Sequence, residues 1–110
     1  MALDDKRFAA LADATLERLM AAIEEACGDR AEVELDGGAL SIALEDGGKY
    51  LLNKHAPMRQ LWLASPTSGA WHFAYDEAAR AWRNTRGPET LGGVLAGELE
   101  RATGAAPALD

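Results

Sequence analysis

Between residues 31 and 84 the chain is interrupted at short intervals by residues that turn a backbone: Gly37-Gly38, Asp46-Gly47-Gly48, His55-Ala56-Pro57-Met58 and Pro66-Thr67-Ser68-Gly69. Glycine reaches left-handed conformations that other residues avoid and proline fixes φ, so each cluster ends the segment before it. The segments in between alternate. Val33 and Leu35 oppose Glu32, Glu34 and Asp36; Leu40, Ile42 and Leu44 alternate with small or polar residues; Leu61 and Leu63 oppose Gln60, Trp62 and Ala64. A period of two is that of a half-buried strand, and links this short join antiparallel neighbours. The pattern therefore predicts strands over 31–36, 39–45, 49–54, 59–65 and 70–75 and a short one around Trp82, paired in chain order as a meander of about six strands.

The flanks read differently. Over 4–27, Phe8, Leu11, Ala12, Thr15, Leu16, Leu19, Ala22, Ile23 and Ala26 recur at steps of three and four, the stripe of an amphipathic helix that Gly28 should stop. At about 100° per residue, Asp13, Glu17 and Glu24 fall within about 40° of one another, opposite that stripe. A second stripe, Leu91, Val94, Leu95, Leu99 and Ala102, follows Gly87-Pro88-Glu89, which resembles a helix start with proline in the first turn. Gly92, Gly93 and Gly97 each weaken that helix by about 1 kcal/mol relative to alanine, so it depends on packing. The order helix, consecutive strands, helix predicts an α+β fold: a two-layer sandwich with both helices on one face of the antiparallel sheet, leaving the other face to solvent. With 110 residues the chain buries one core, so a single domain over 1–110 is expected, ordered over about 4–103 with a loose tail at 104–110.

Charge narrows the function. The net charge is −7, and all the excess lies early: residues 1–46 carry 12 acidic and 4 basic side chains, residues 47–110 carry 6 and 7. Such a balance excludes nucleic acid as a partner, because phosphates need Lys and Arg to replace their counterions. No apolar run approaches the roughly 18 to 20 residues that cross a bilayer, and the first residues lack a leader's basic or Arg/Ser-rich character, so no membrane partner is expected. Cys27 is the sole cysteine, which excludes an intrachain disulfide and a cysteine-cluster metal site; it is expected to be a buried small hydrophobe. Trp71 and Trp82 are expected in the core, His72 on the exposed sheet face, and Trp62 on that same open face, where a large aromatic suggests a partner. Ser65 and Ser68 belong to a turn and have no readable His/Asp partners, which counts against a hydrolase. An acidic stripe alone would read as a solvated surface.

The segment from Tyr50 to Gly69 changes that balance. Asn53-Lys54, Pro57, Gln60, Trp62-Leu63 and Ser65-Pro66 with Ser68-Gly69 match, in register and without a gap, the signature of the frataxin family, whose bacterial members are called CyaY. Residues 11–17 resemble the family's first helix and residues from Glu89 its last, so the similarity covers roughly 5–102. The resemblance implies the frataxin-like two-layer sandwich and a role in iron-sulfur cluster assembly. It further implies weak binding of iron, Fe²⁺ or Fe³⁺, at acids of the first helix and first strand, here Asp13, Glu17, Glu24, Glu25, Asp29, Glu32 and Glu34. The implied partners are a cysteine desulfurase and its scaffold protein, met by Asn53, Gln60 and Trp62 and by the ridge acids Glu17 and Glu24. Ala14, Ala21 and Arg18 thin the ridge relative to relatives, and His55 and Arg59 replace the commoner Gln and Lys.

The expected function is thus a non-enzymatic, iron-binding regulator of cluster assembly, with a weak ferroxidase or iron-storage protein as the alternative. Surface carboxylates and water would hold iron loosely, and the absence of an enclosed His/Glu di-iron pattern counts against efficient turnover. A monomer is expected, with iron-dependent oligomers as a further state. The setting expected is the bacterial cytoplasm rather than the mitochondrial matrix.

Overall fold

A computed structural model describes residues 3–109, so of the expected 1–110 range Met1, Ala2 and Asp110 lie outside the described residues. Helix α1 runs Asp5–Cys27. Its first turn is fixed by the Asp4 carboxylate, which accepts from the Arg7 backbone N–H at 2.7 Å, and it ends at Gly28 with φ 55. Six strands follow: β1 Ala31–Asp36, β2 Ala39–Leu44, β3 Lys49–His55, β4 Gln60–Ser65, β5 Gly69–Asp76 and β6 Ala81–Asn84; helix α2, Leu91–Thr103, closes the order. The strands pair antiparallel in the sequence β1-β2-β3-β4-β5-β6, the meander that the turn spacing predicts.

Both helices lie on one face. Phe8, Leu16, Leu19 and Ile23 of α1 and Leu91, Leu95 and Leu99 of α2 are buried against Leu40, Ile42, Leu52, Leu61, Leu63 and Phe73 of the sheet. Cys27 is buried at the end of α1, its Sγ 3.7 Å from the Thr103 hydroxyl. Trp82 is also core: its ring meets Phe8 and Tyr75 edge-on and its Nε1–H donates to the Thr15 hydroxyl at 2.9 Å. Trp71 is half-buried, stacked beside Phe73.

Three local features depart from the sequence reading. Pro88 does not open α2: the helix starts at Leu91, capped by the Thr90 hydroxyl, which accepts from Gly93 N–H at 3.1 Å. Residues 87–89 fold onto β6 instead, where Asn84 N–H donates to the Glu89 carbonyl at 2.7 Å. Threonine supplies a capping oxygen that proline cannot. Arg59 does not start β4, because it takes left-handed backbone (φ 51) and closes the 3-10 turn Ala56–Met58. The tail is less loose than its composition suggests: beyond Gly104 it has no regular structure, yet Pro107 is buried and Leu109 joins the core at 5% exposed. Burying a leucine side chain gains about 1.5 to 3 kcal/mol, enough to order a short end that can reach an apolar groove.

Candidate functional site

The sheet face away from the helices is crossed by registers that place its residues in rows. Asp36, Ala39, Asn53, Trp62 and His72 form one row from β1 to β5; Glu34, Ser41, Leu51, Ala64 and Ala70 form the next; His55, Gln60, Ala74 and Arg83 form a third. Alanines keep most of this surface flat. The large apolar side chain standing on it beside Trp62 is Leu51, 41% exposed, with Met58 exposed at the rim.

Trp62 is half-buried in place by neighbours on three sides. His55 stacks on one face of its ring, centroids 3.7 Å apart at 7°, and His72 on the other at 4.2 Å and 12°. Its Nε1–H donates to the Gln60 side-chain oxygen at 2.8 Å. His55 is itself oriented, its Nδ1 accepting from the Met58 backbone N–H at 3.3 Å. The outward indole is therefore held in one orientation with its edge to solvent. Two imidazoles shield it, and the chain gives no local sign of this because His55 and His72 reach Trp62 only through strand register.

The acidic flank adjoins this face. Glu17, Glu24 and Glu25 on α1, Asp29 in the turn after it, and Glu32 and Glu34 on the edge strand β1 are all exposed. Asp13 departs from the unpaired ridge that the sequence suggests: Lys54 Nζ, reaching over from β3, meets its carboxylate at 2.8 Å. Asp5 likewise pairs with Arg59 at 2.9 Å. These bridges tie α1 to the β3–β4 side of the sheet, next to Asn53. Among the described residues no three His, Cys, Asp or Glu side chains converge in a way that could hold a metal ion. The acids create a negative surface, and a cation there would meet one or two carboxylates at a time plus water, as suits a hard, exchangeable ion.

A second polar cluster lies on the helix side. Glu98 of α2 is only 6% exposed and accepts three hydroxyl hydrogen bonds: from Tyr50 at 3.0 Å and Ser65 at 2.6 Å on one oxygen, and from Ser68 at 2.6 Å on the other. The Ser65 hydroxyl in turn accepts the backbone N–H groups of Thr67 and Ser68, and Ser68 accepts from Trp71 Nε1–H at 2.8 Å. Burial pushes the Glu98 carboxyl up, but the hydroxyls of Ser65, Ser68 and Tyr50 and the Arg101 charge outweigh it and leave the group below the ordinary glutamate value. Tyr50 is raised, by burial first and then by facing that carboxylate. The serines of the β4–β5 turn thus lock the turn to α2. A signal for this was present: Glu98 sits seven residues after Leu91 and three after Leu95, a charge on the apolar stripe.

The open sheet face thus carries an oriented indole, and the exposed acids of α1 and β1 lie along its edge. Residues 1–105 match the family model described as the frataxin-like domain. The chain is 38% identical over 93 residues, covering 84% of both chains, to a Pseudomonas aeruginosa protein named iron-sulfur cluster assembly protein CyaY. Among solved structures, a frataxin from Psychromonas ingrahamii superposes with a TM-score of 0.86 at 22% identity over 98% of this chain and 99% of its own. A trimeric Saccharomyces cerevisiae frataxin complexed with ferrous iron superposes at 0.75 and 30% identity, over 94% of this chain and 89% of its own. This chain belongs to the frataxin family.

Proposed function

We propose that the protein is an iron-binding regulator of iron-sulfur cluster assembly that docks on a cysteine desulfurase and its scaffold. The observation that carries this reading is the Trp62 indole, standing on an uncovered sheet face and held there by Gln60, His55 and His72. Side chains fixed in this way lose little entropy on binding, and half-exposed aromatics of this kind dominate interface energetics. Asn53, beside Trp62 in the row, and Gln60 complete the contact. Glu17 and Glu24 meet a basic surface of the desulfurase, and the flank of Asp13, Glu17, Glu24, Glu25, Asp29, Glu32 and Glu34 attracts iron, which it holds weakly and passes on. Iron is cargo here, not a resident cofactor. The names of the relatives and the ferrous iron of the yeast structure support the assignment.

The role is regulatory rather than enzymatic. The bacterial relative is named for cluster assembly rather than for a reaction, which supports this reading. The bacterial source of the CyaY relatives supports a bacterial setting, read here as the cytoplasm. The test is binding to the desulfurase with and without scaffold, over a range of salt. Glu17→Lys with Glu24→Lys should weaken affinity and flatten its salt dependence, while Trp62→Ala should weaken the complex containing scaffold at every salt concentration. Wild-type behaviour of both variants contradicts the reading, and many turnovers of oxygen consumption per bound Fe²⁺ would replace it with a ferroxidase.

A further inference from the structure

Neither the fold nor the open sheet face accounts for Arg18 and Arg80. Arg18 lies about 100° around α1 from Glu17, at the border of the core stripe. Arg80, in the β5–β6 turn, takes left-handed backbone with φ 53, where a side chain costs roughly 1 to 2 kcal/mol and glycine is the usual occupant. The other described non-glycine residue with positive φ, Arg59, pairs with Asp5. Neither Arg18 nor Arg80 has an acidic partner among the described residues.

Both line the same cavity. It occupies about 500 Å³ between the middle of α1, the β5–β6 turn and the start of α2, on the helix side of the sheet and away from Trp62. That volume is in the range of small-molecule sites. Its floor is Leu19, Trp82 and Leu91, all buried, with Tyr75 and Leu109 at the sides. At the floor, Trp82 Nε1–H donates to the Thr15 hydroxyl, which donates to the Leu11 carbonyl at 2.7 Å. The floor therefore offers apolar surface and no unmet hydrogen-bonding group. Exposed Arg18 and Arg80 place positive charge at the solvent side, and of a chain with 18 acidic residues none lines this cavity among those described. Two guanidinium-bearing side chains lining an apolar, aromatic floor fit a carboxylate carried on a hydrocarbon body.

We propose that this cavity binds a small amphiphilic carboxylate, its acid group held by Arg18 and Arg80 and its chain laid on Trp82, Leu19 and Leu91. The site is separate from the docking face, so it stands or falls independently of the cluster-assembly role.

Sodium decanoate, kept below its micelle-forming concentration, is a suitable probe, with decanol and inorganic phosphate as controls. In ¹⁵N–¹H spectra of the whole chain, decanoate should shift the Trp82 indole and the backbone of 14–19 and 79–82, and leave the Trp62 indole in place. Arg18→Ala with Arg80→Gly should lower decanoate affinity about tenfold or more, and decanol should bind the wild type at least about tenfold more weakly than decanoate. Glycine suits the backbone at position 80, so Arg80→Gly alone should keep or raise the melting temperature, which separates lost binding from lost folding. The proposal is overturned if decanoate shifts nothing or shifts other residues, if decanol binds equally, if the double variant binds like wild type, or if phosphate alone perturbs the same residues as strongly.

Discussion

Two groups of carboxylates in this molecule behave in opposite ways. Glu98 is buried, accepts three hydroxyl hydrogen bonds and sits below its ordinary pKa. The flank acids from Glu17 to Glu34 are exposed and, Asp13 apart, have no ion pair among the described residues. The first arrangement stabilises the native state, since a charge inside the fold persists only when its lone pairs are occupied. The second gains no such partners, and Glu17 is further opposed by Asp13 four residues earlier, a like-charge spacing that costs roughly 0.2 to 0.5 kcal/mol per pair. A surface that weakens the fold and collects negative charge next to an oriented indole is one on which a partner can act. Burial and pairing, rather than residue type, thus separate the acid that holds the structure from the acids proposed to serve function.

The largest effect should come from the buried member. Glu98→Ala strands the hydroxyls of Tyr50, Ser65 and Ser68 and is expected to cost about 3 kcal/mol of stability in urea unfolding. A cost under about 1 kcal/mol would remove the contrast. The same residue gives a pH signature. Because its folded pKa lies below the unfolded one, near about 4.3, its contribution is complete above that value and is lost as pH falls through the folded value. The stability gap between wild type and Glu98→Gln should therefore shrink on acidification below about pH 4, and a gap that is flat with pH would contradict the assignment.

On the docking face the ranking reverses. Trp62→Ala should change unfolding free energy by less than about 1 kcal/mol yet weaken the scaffold-containing complex about tenfold or more. Glu17→Lys with Glu24→Lys should reduce desulfurase affinity severalfold at low salt and less at 0.5 M, a difference that screening over about a nanometre or less requires. The smallest effect belongs to the stacking imidazoles. His55→Ala or His72→Ala should lower affinity by about two- to threefold and raise the mobility of the Trp62 indole in nuclear relaxation, and phenylalanine at either position should restore both.

Much of the fold was legible in the chain because its determinants are local. Gly37-Gly38 and Pro66-Thr67-Ser68-Gly69 mark turns, and alternation from Val33 to Leu63 names the inward face without knowledge of any partner strand. The start of α2 was less legible because Pro88 carries a helix-start signal, whereas it is the Thr90 hydroxyl that satisfies a backbone N–H. Leu109 was hidden because its burial depends on a groove made by residues distant in sequence. Trp62 on the open face follows from alternation with Leu61 and Leu63, but its imidazole stack requires the pairing Trp62↔His72 and the diagonal reach of His55, which no spacing along the chain encodes. The same holds for Glu98, whose partners come from β3 and the β4–β5 turn. The partner of Asp13 is likewise not legible along the chain, because Lys54 lies 41 residues away.

The most direct test is a single ¹⁵N–¹H spectrum in which the three indole N–H signals are followed as desulfurase and scaffold are added. The Trp62 signal should shift or broaden while those of buried Trp82 and half-buried Trp71 stay in place. A complex that moves Trp82 or Trp71 and leaves Trp62 untouched would contradict the assignment of the open sheet face as the docking surface.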